Sequence, residues 1–141
     1  MDKVSFLQLL LRLLGTTSLF ATIFVAAPES WMRDIHAALG LGELPAEPIV
    51  GYLARSTSAF YAGLGGLLWT LSFDPERYRS VLTYLGSAIT LFGMALFVID
   101  WAEGLPLIWV VWEGTAVTTF GALILWLTRT GVEGRPGPPA R

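Results

Sequence analysis

Residues 80–99 read SVLTYLGSAITLFGMALFVI and residues 105–128 read LPLIWVVWEGTAVTTFGALILWLT, with only DWAEG at 100–104 between them. At about 1.5 Å of rise per residue, each run is long enough to cross roughly 30 Å of hydrocarbon as a helix. Their borders have physical causes: Asp100 closes the first, Pro106 suits the opening turn of the second, and Arg129 follows it. Upstream, Glu76, Arg77 and Arg79 introduce the first of these runs, and Asp74-Pro75 marks a turn before them. Two further apolar runs precede that turn, at about 49–72 after Pro48 and at about 4–27 before Pro28. Four spans, 4–27, 49–72, 80–99 and 105–128, therefore predict an all-α fold. It is an integral membrane four-helix bundle in one domain, 1–128. The Gly- and Pro-rich stretch 129–141 buries too little apolar surface to order itself and is expected to be a disordered tail.

Composition agrees. Of 141 residues, 54% are hydrophobic and 14% charged, against roughly 25% charged in soluble domains. With no cysteine, the chain has no disulfide, thiolate catalyst or cysteine-held cluster, and its single histidine excludes a two-imidazole site within one chain. A net charge of −2, with 9 basic residues scattered along the chain, offers no stripe for nucleic acid. No Ser-His-Asp set, phosphate-cradling glycine motif or metalloprotease helix is present. Asp100-x-x-Glu103 is too sparse to specify calcium. Catalytic residues, cofactors and metals are accordingly not expected.

The opening Met1-Asp2-Lys3, an apolar run and Val25-Ala26-Ala27 resemble a secretory signal, but Gln8 and Arg12 interrupt the run and Pro28 would follow the cut. A retained anchor is expected, with Arg12 snorkelling to the near interface. The 21 residues between the first two spans hold Trp31, Ile35 and Leu39 at helical spacing, with Arg33, Asp34 and His36 pointing elsewhere. That pattern predicts an amphipathic interfacial helix over 30–39, capped by Ser30 and ended by Gly40-Leu41-Gly42.

Charge sets the orientation. Lys3, Arg12, Arg77, Arg79, Arg129, Arg135 and Arg141 fall on one side and only Arg33 and Arg55 on the other, so both termini are expected in the cytoplasm of a bacterial inner membrane. Trp31, Tyr52, Trp101 and Trp109 would form an outer aromatic belt, and Trp69, Tyr78, Tyr84 and Trp126 an inner one.

Close helix packing in lipid needs small residues in rows. Ser58, Ala62 and Gly66 supply one at four-residue spacing, continued by Thr70, and Ser18, Thr22 and Ala26 another. Gly86 with Gly93 and Gly114 with Gly121 are spaced seven apart, with Thr90 and Thr118 between them. These rows are expected to pack the bundle internally, with dimerisation as the alternative. Three ionisable residues gather on the outward half. Arg55 lies roughly 9 Å into the second span, Glu113 roughly 12 Å into the fourth, and Asp100 at the outer end of the third. Such charges pair to survive at depth. An Arg55–Asp100–Glu113 cluster is therefore expected under the interfacial helix, with Tyr61 in its wall and Glu103 and His36 near its mouth. It serves either as a ligand or proton site, or as an ion-pair staple.

Arg12-Leu13-Leu14-Gly15, Ala27-Pro28, Arg55 followed by Tyr61-Ala62-Gly63-Leu64-Gly65, and Asp100 with Gly104-Leu105-Pro106 together resemble small bacterial four-helix membrane proteins of DoxX-like organisation. Some proteins of that type are associated with quinone-linked sulfur oxidation, so the resemblance implies a role as subunit of a quinone-linked oxidoreductase. The absence of cysteine and of a redox centre points away from it. The leading expectation is an accessory or scaffold subunit, or a membrane-embedded binding module, partnered by the bilayer and by a membrane protein or a second copy. The second is a small transporter or proton relay using the Arg/Asp/Glu cluster.

Overall fold

The computed structural model describes residues 2–132. Among them the chain forms six helices and no strand: α1 (Lys3–Leu19), α2 (Thr22–Ala26), α3 (Glu29–Ala38), α4 (Pro48–Ser72), α5 (Arg79–Ala102) and α6 (Leu107–Val132). Three stretches of the described residues are long and apolar enough to cross a membrane: Lys3–Ala26, Arg79–Ala102 and Leu107–Gly131. Helix α4 is as long, but the run Arg55-Ser56-Thr57-Ser58 and the glycines that follow dilute its hydropathy.

Local chemistry explains the boundaries. Asp2 caps α1 by accepting from the Ser5 N–H at 2.7 Å. Pro48 occupies the opening turn of α4, where a missing N–H costs nothing. The turn after α4 is pinned by the Arg77 N–H donating to Asp74 Oδ1 at 3.1 Å. Gly104, at φ +69°, ends α5 in a left-handed conformation, and Pro106 then leads into α6.

The observed helices differ from the sequence expectation in three places. The first apolar run is broken at Phe20–Ala21, where Ala21, Ile23 and Phe24 donate three residues back instead of four. Just before the break, the Thr17 hydroxyl donates to the Leu13 carbonyl at 3.0 Å, the kind of back-bonding that bends helices. Helix α3 begins at Glu29, with Pro28 as its cap residue, so Ser30 lies inside the first turn and caps nothing. Met32 is its buried residue, while Trp31, Ile35 and Leu39 stay exposed. Finally, α6 continues through Arg129 to Val132, with Thr128 buried on its inner face. Residues 133–141 of the expected tail lie outside the described residues.

Helix α1 is central, packing on α4 along one side and α6 along the other, and α5 packs against α6. Leu7, Leu10 and Leu11 of α1 meet Leu68 and Leu71 of α4, Leu82 of α5, and Ile124 and Leu127 of α6 in one buried cluster. This core sits wholly at the end holding the N-terminus of α1. There Arg12 donates to Ser72 Oγ at 3.3 Å and lies 5.5 Å from the Trp69 ring and 5.8 Å from Phe73. Its charge is therefore held against α4 by a hydrogen bond and two ring faces.

Glycine decides how near the helices come. The α1–α4 crossing is at Gly15 and Gly65, where a Cβ on Gly65 would stand 2.7 Å from the Gly15 carbonyl oxygen. Trp69 Nε1 donates to Thr16 Oγ1 at 3.1 Å beside it. Between α5 and α6, Gly86 faces Leu125, Gly93 faces Thr118, Gly114 faces Gly93 and Phe97, and Gly121 faces Thr90. Gly66 meets nothing within 4 Å. The Ser58-Ala62-Gly66 row is thus displaced as the α4 packing row, since the backbone contact falls one residue earlier. Gly65→Ala should therefore cost about 1–3 kcal/mol through overpacking. Gly66→Ala, its neighbour, should be neutral or stabilise by up to about 1 kcal/mol. Thermal unfolding of the two variants in one detergent checks the pair.

Candidate functional site

Arg55 lies seven residues into α4 and Glu113 six into α6, roughly 9–10 Å along each helix. Equal depth does not bring them together. The Arg55 guanidinium donates from Nη1 to the Val25 carbonyl at 2.7 Å and from Nη2 to the Ala27 carbonyl at 3.0 Å. The helix ending at Ala26 leaves those carbonyls without intrahelical partners, and a cation is the strongest donor available to them. The expected Arg55–Asp100–Glu113 ion pair is corrected accordingly. Among the described residues no salt bridge joins Arg55 to either carboxylate, whereas Arg33 pairs with Glu29 at 3.2 Å.

Two sites result where one was expected. The first is a polar pocket of about 220 Å³ beneath α3, lined by Glu29, Met32, Glu47, Tyr52 and Arg55 with the 44–48 loop. The second is an apolar cleft of about 550 Å³ between α4 and α5. Thr57, Phe60, Tyr61, Leu64 and Leu68 form its α4 wall, and Tyr84, Leu85, Ala88, Ile89 and Phe92 its α5 wall. Leu14 and Ser18 of α1, with Val117 and Phe120 of α6, close its back. Phe60, Tyr84 and Phe92 remain exposed, so the cleft opens sideways, toward the surface that the apolar helices present. It exists because all four long helices converge at the leucine core while α4 and α5 share few contacts beyond it.

Glu113 of α6 is half-buried and lines neither the polar pocket nor the cleft. Asp100 is 4% exposed, and its Oδ2 has no hydrogen-bond partner. The remaining expected members stand apart. Glu103 is exposed at the end of α5. His36 Nδ1 is 3.0 Å from the Gly42 carbonyl, a contact that a neutral ring makes as donor and that ties α3 to the following loop. Among the described residues, no group of three His, Asp or Glu side chains is arranged to hold a metal ion.

Spacing in the sequence points Tyr61 into a pocket wall but gives no sign of the cleft's other aromatic walls. Tyr84 is expected only in the inner aromatic belt and nothing in the spacing marks Phe92 or Phe120; the gap between α4 and α5 is what brings them together. The Arg55 contacts do have a signal in the sequence: Ala27-Pro28 announces a helix end whose carbonyls need a donor.

No protein-family model matches the chain, and neither a curated protein nor a solved structure matches it.

Because Arg55 holds carbonyls and not carboxylates, Arg55→Gln should lose about 1–3 kcal/mol and speed amide exchange over residues 26–32. Arg55→Lys should recover only part, since an ammonium cannot fork to two acceptors as a guanidinium does. Glu113→Gln should leave that exchange unchanged, and the double variant should be additive. A rescue of Arg55→Gln by Glu113→Gln would restore the ion-pair account.

Proposed function

We propose that the chain is a four-span bundle of a bacterial inner membrane, with both termini in the cytoplasm and α3 lying in the outer interface. We propose further that it works as a membrane-embedded binding module, by itself or as an accessory subunit of a larger complex. The observation that carries this reading is the cleft of about 550 Å³ between α4 and α5. Its size is that of small-molecule sites, and its side opening gives access from the acyl-chain region without passage through water. An apolar chain entering there exchanges contact with lipid tails for contact with the α4 and α5 walls.

Several features support the membrane placement. Helix α4 is flanked by α1 and faces α5, so its one charge, Arg55, is satisfied within the protein. The exposed stripe Trp31, Ile35 and Leu39 gives α3 an apolar side free to rest on the headgroup boundary. Exposed Trp101 and Tyr52 at one end, and Trp126 and Tyr84 toward the other, match the two aromatic belts. The short motifs that resemble DoxX-like proteins fit the same four-span organisation and a position beside a membrane partner.

Two measurements test the proposal. The chain has no cysteine, so single cysteines report topology cleanly: Glu43→Cys should react with a membrane-impermeant maleimide in intact spheroplasts, and Ser80→Cys only after lysis. Native mass spectrometry of protein extracted gently from its own membrane should show a retained apolar molecule, lost in an Ala88→Trp variant that fills the cleft. A stable complex with a second membrane protein would identify the chain as an accessory subunit. Protein that carries neither ligand nor partner would overturn the binding reading.

A further inference from the structure

Arg12 is seated, not merely exposed. It lies well inside α1, yet it stands level with the end of α4, because its Nε donates at 3.3 Å to the hydroxyl of Ser72, the last residue of that helix. The guanidinium carbon is 5.5 Å from the Trp69 ring and 5.8 Å from the Phe73 ring, and those rings pack on each other with centroids 6.3 Å apart. Trp69 is anchored in turn, its Nε1–H donating to Thr16 Oγ1 one turn along α1 from Arg12. Ser72 is fully buried and gives its own proton to the Trp69 carbonyl, so toward Arg12 it acts only as acceptor.

This seat fixes one edge of the guanidinium and leaves the other open. Among the described residues nothing accepts from Nη1 or Nη2, and no carboxylate pairs with Arg12. A cation held within an apolar run calls for an anion, and two parallel N–H donors match the oxygens of a phosphate. Leu9 and Leu13 of α1 and Phe73 just past α4 are exposed beside it, apolar surface for acyl chains to lie on. Lys3 and Arg77 each meet a single ring, Trp126 at 5.4 Å and Tyr78 at 5.7 Å, with no side-chain hydrogen bond among the described residues to orient them. We infer that Arg12 is the headgroup site for an anionic phospholipid, with the phosphate on the two Nη nitrogens and the chains along α1. The inference rests on the proposed membrane placement and is independent of the α4–α5 cleft. It commits to a lipid, because apolar side chains flank the open edge. A zwitterionic lipid would bring an ammonium to a guanidinium that no carboxylate offsets.

The test uses the full chain in phosphatidylcholine nanodiscs doped with phosphatidylglycerol that carries a photoreactive diazirine on its headgroup, the adducts being located by mass spectrometry. On the unsubstituted chain they should concentrate within residues 9–16 and 69–73, and a phosphatidylcholine bearing the same diazirine should label those residues about fivefold less. Arg12→Gln should remove the preference, Arg12→Lys should keep part of it, and Arg77→Gln should leave it nearly unchanged. Excess glycerol phosphate in the buffer should not compete. Equal labelling by the two probes, or adducts confined to other residues, overturns the inference, and so does an Arg77→Gln loss as large as that of Arg12→Gln, which would mean diffuse surface charge. Competition by glycerol phosphate overturns the lipid in favour of a free phosphate ester. A chain that does not enter the nanodisc overturns the membrane placement and this site with it. Both the position of the adducts and the headgroup preference are read on the unsubstituted chain, so the test does not depend on how well Arg12→Gln folds.

Discussion

The structure depends on how closely helix backbones can approach where water supplies no drive for association. Lipid tails are as apolar as the side chains they would replace, so helices in a bilayer associate through dense contact and not through escape from solvent. Glycine makes that contact possible here. At Gly15 and Gly65 the carbonyl of one helix stands where the other's Cβ would be, and the backbone comes equally close at Gly93 against Thr118 and Gly121 against Thr90. Thr90 brings a second benefit at its crossing. Thr90 returns its hydroxyl proton to the Gly86 carbonyl at 2.7 Å, so a polar side chain enters the interface already satisfied.

Tight packing at one end has a structural consequence at the other. The leucine core gathers α1, α4, α5 and α6 near the N-terminus of α1, and Arg12 is clasped there by Ser72, Trp69 and Phe73. Beyond that core α5 follows α6 and α4 follows α1 and α2, so α4 and α5 separate and leave a cleft. The kink at Phe20–Ala21 and the Arg55 bonds to Val25 and Ala27 hold α2 and the start of α3 against α4. That commitment takes the Arg55 guanidinium away from Asp100 and Glu113.

Much of the architecture is legible in the residues. Apolar runs bounded by Pro28, Pro48, Asp74-Pro75, Asp100 and Pro106 mark the long helices to within a few residues, because helix length and termination are local properties. The glycine pairs of α5 and α6 are legible for a related reason. A spacing of seven keeps two residues on one helix face, and the two helices are joined by a short connection that makes them antiparallel neighbours. Spacing misplaces the α4 row by one position. Ser58, Ala62 and Gly66 recur as regularly as any packing row, but the rotation of α4 about its own axis follows from where α1 lies, and spacing carries no information on that. Matching depths mislead about Arg55 in a similar way. It sits about 120° around α4 from Tyr61, so it cannot serve the face that meets Glu113, however well the depths agree.

The sequence by itself determined where the apolar runs begin and end to within a few residues, though not the break at Phe20–Ala21, and which residues are small enough to allow contact, because each follows from chemistry within one or two turns. It also determined that charge would be unequal between the two ends. Tertiary structure alone decided which small residues touch, which carbonyls Arg55 meets, and that α4 and α5 part to leave a cleft. Those outcomes depend on the relative rotation and tilt of helices far apart in the chain. A set of backbone contacts at Gly15, Gly65, Gly93 and Gly121 fixes them jointly, and no single segment encodes them.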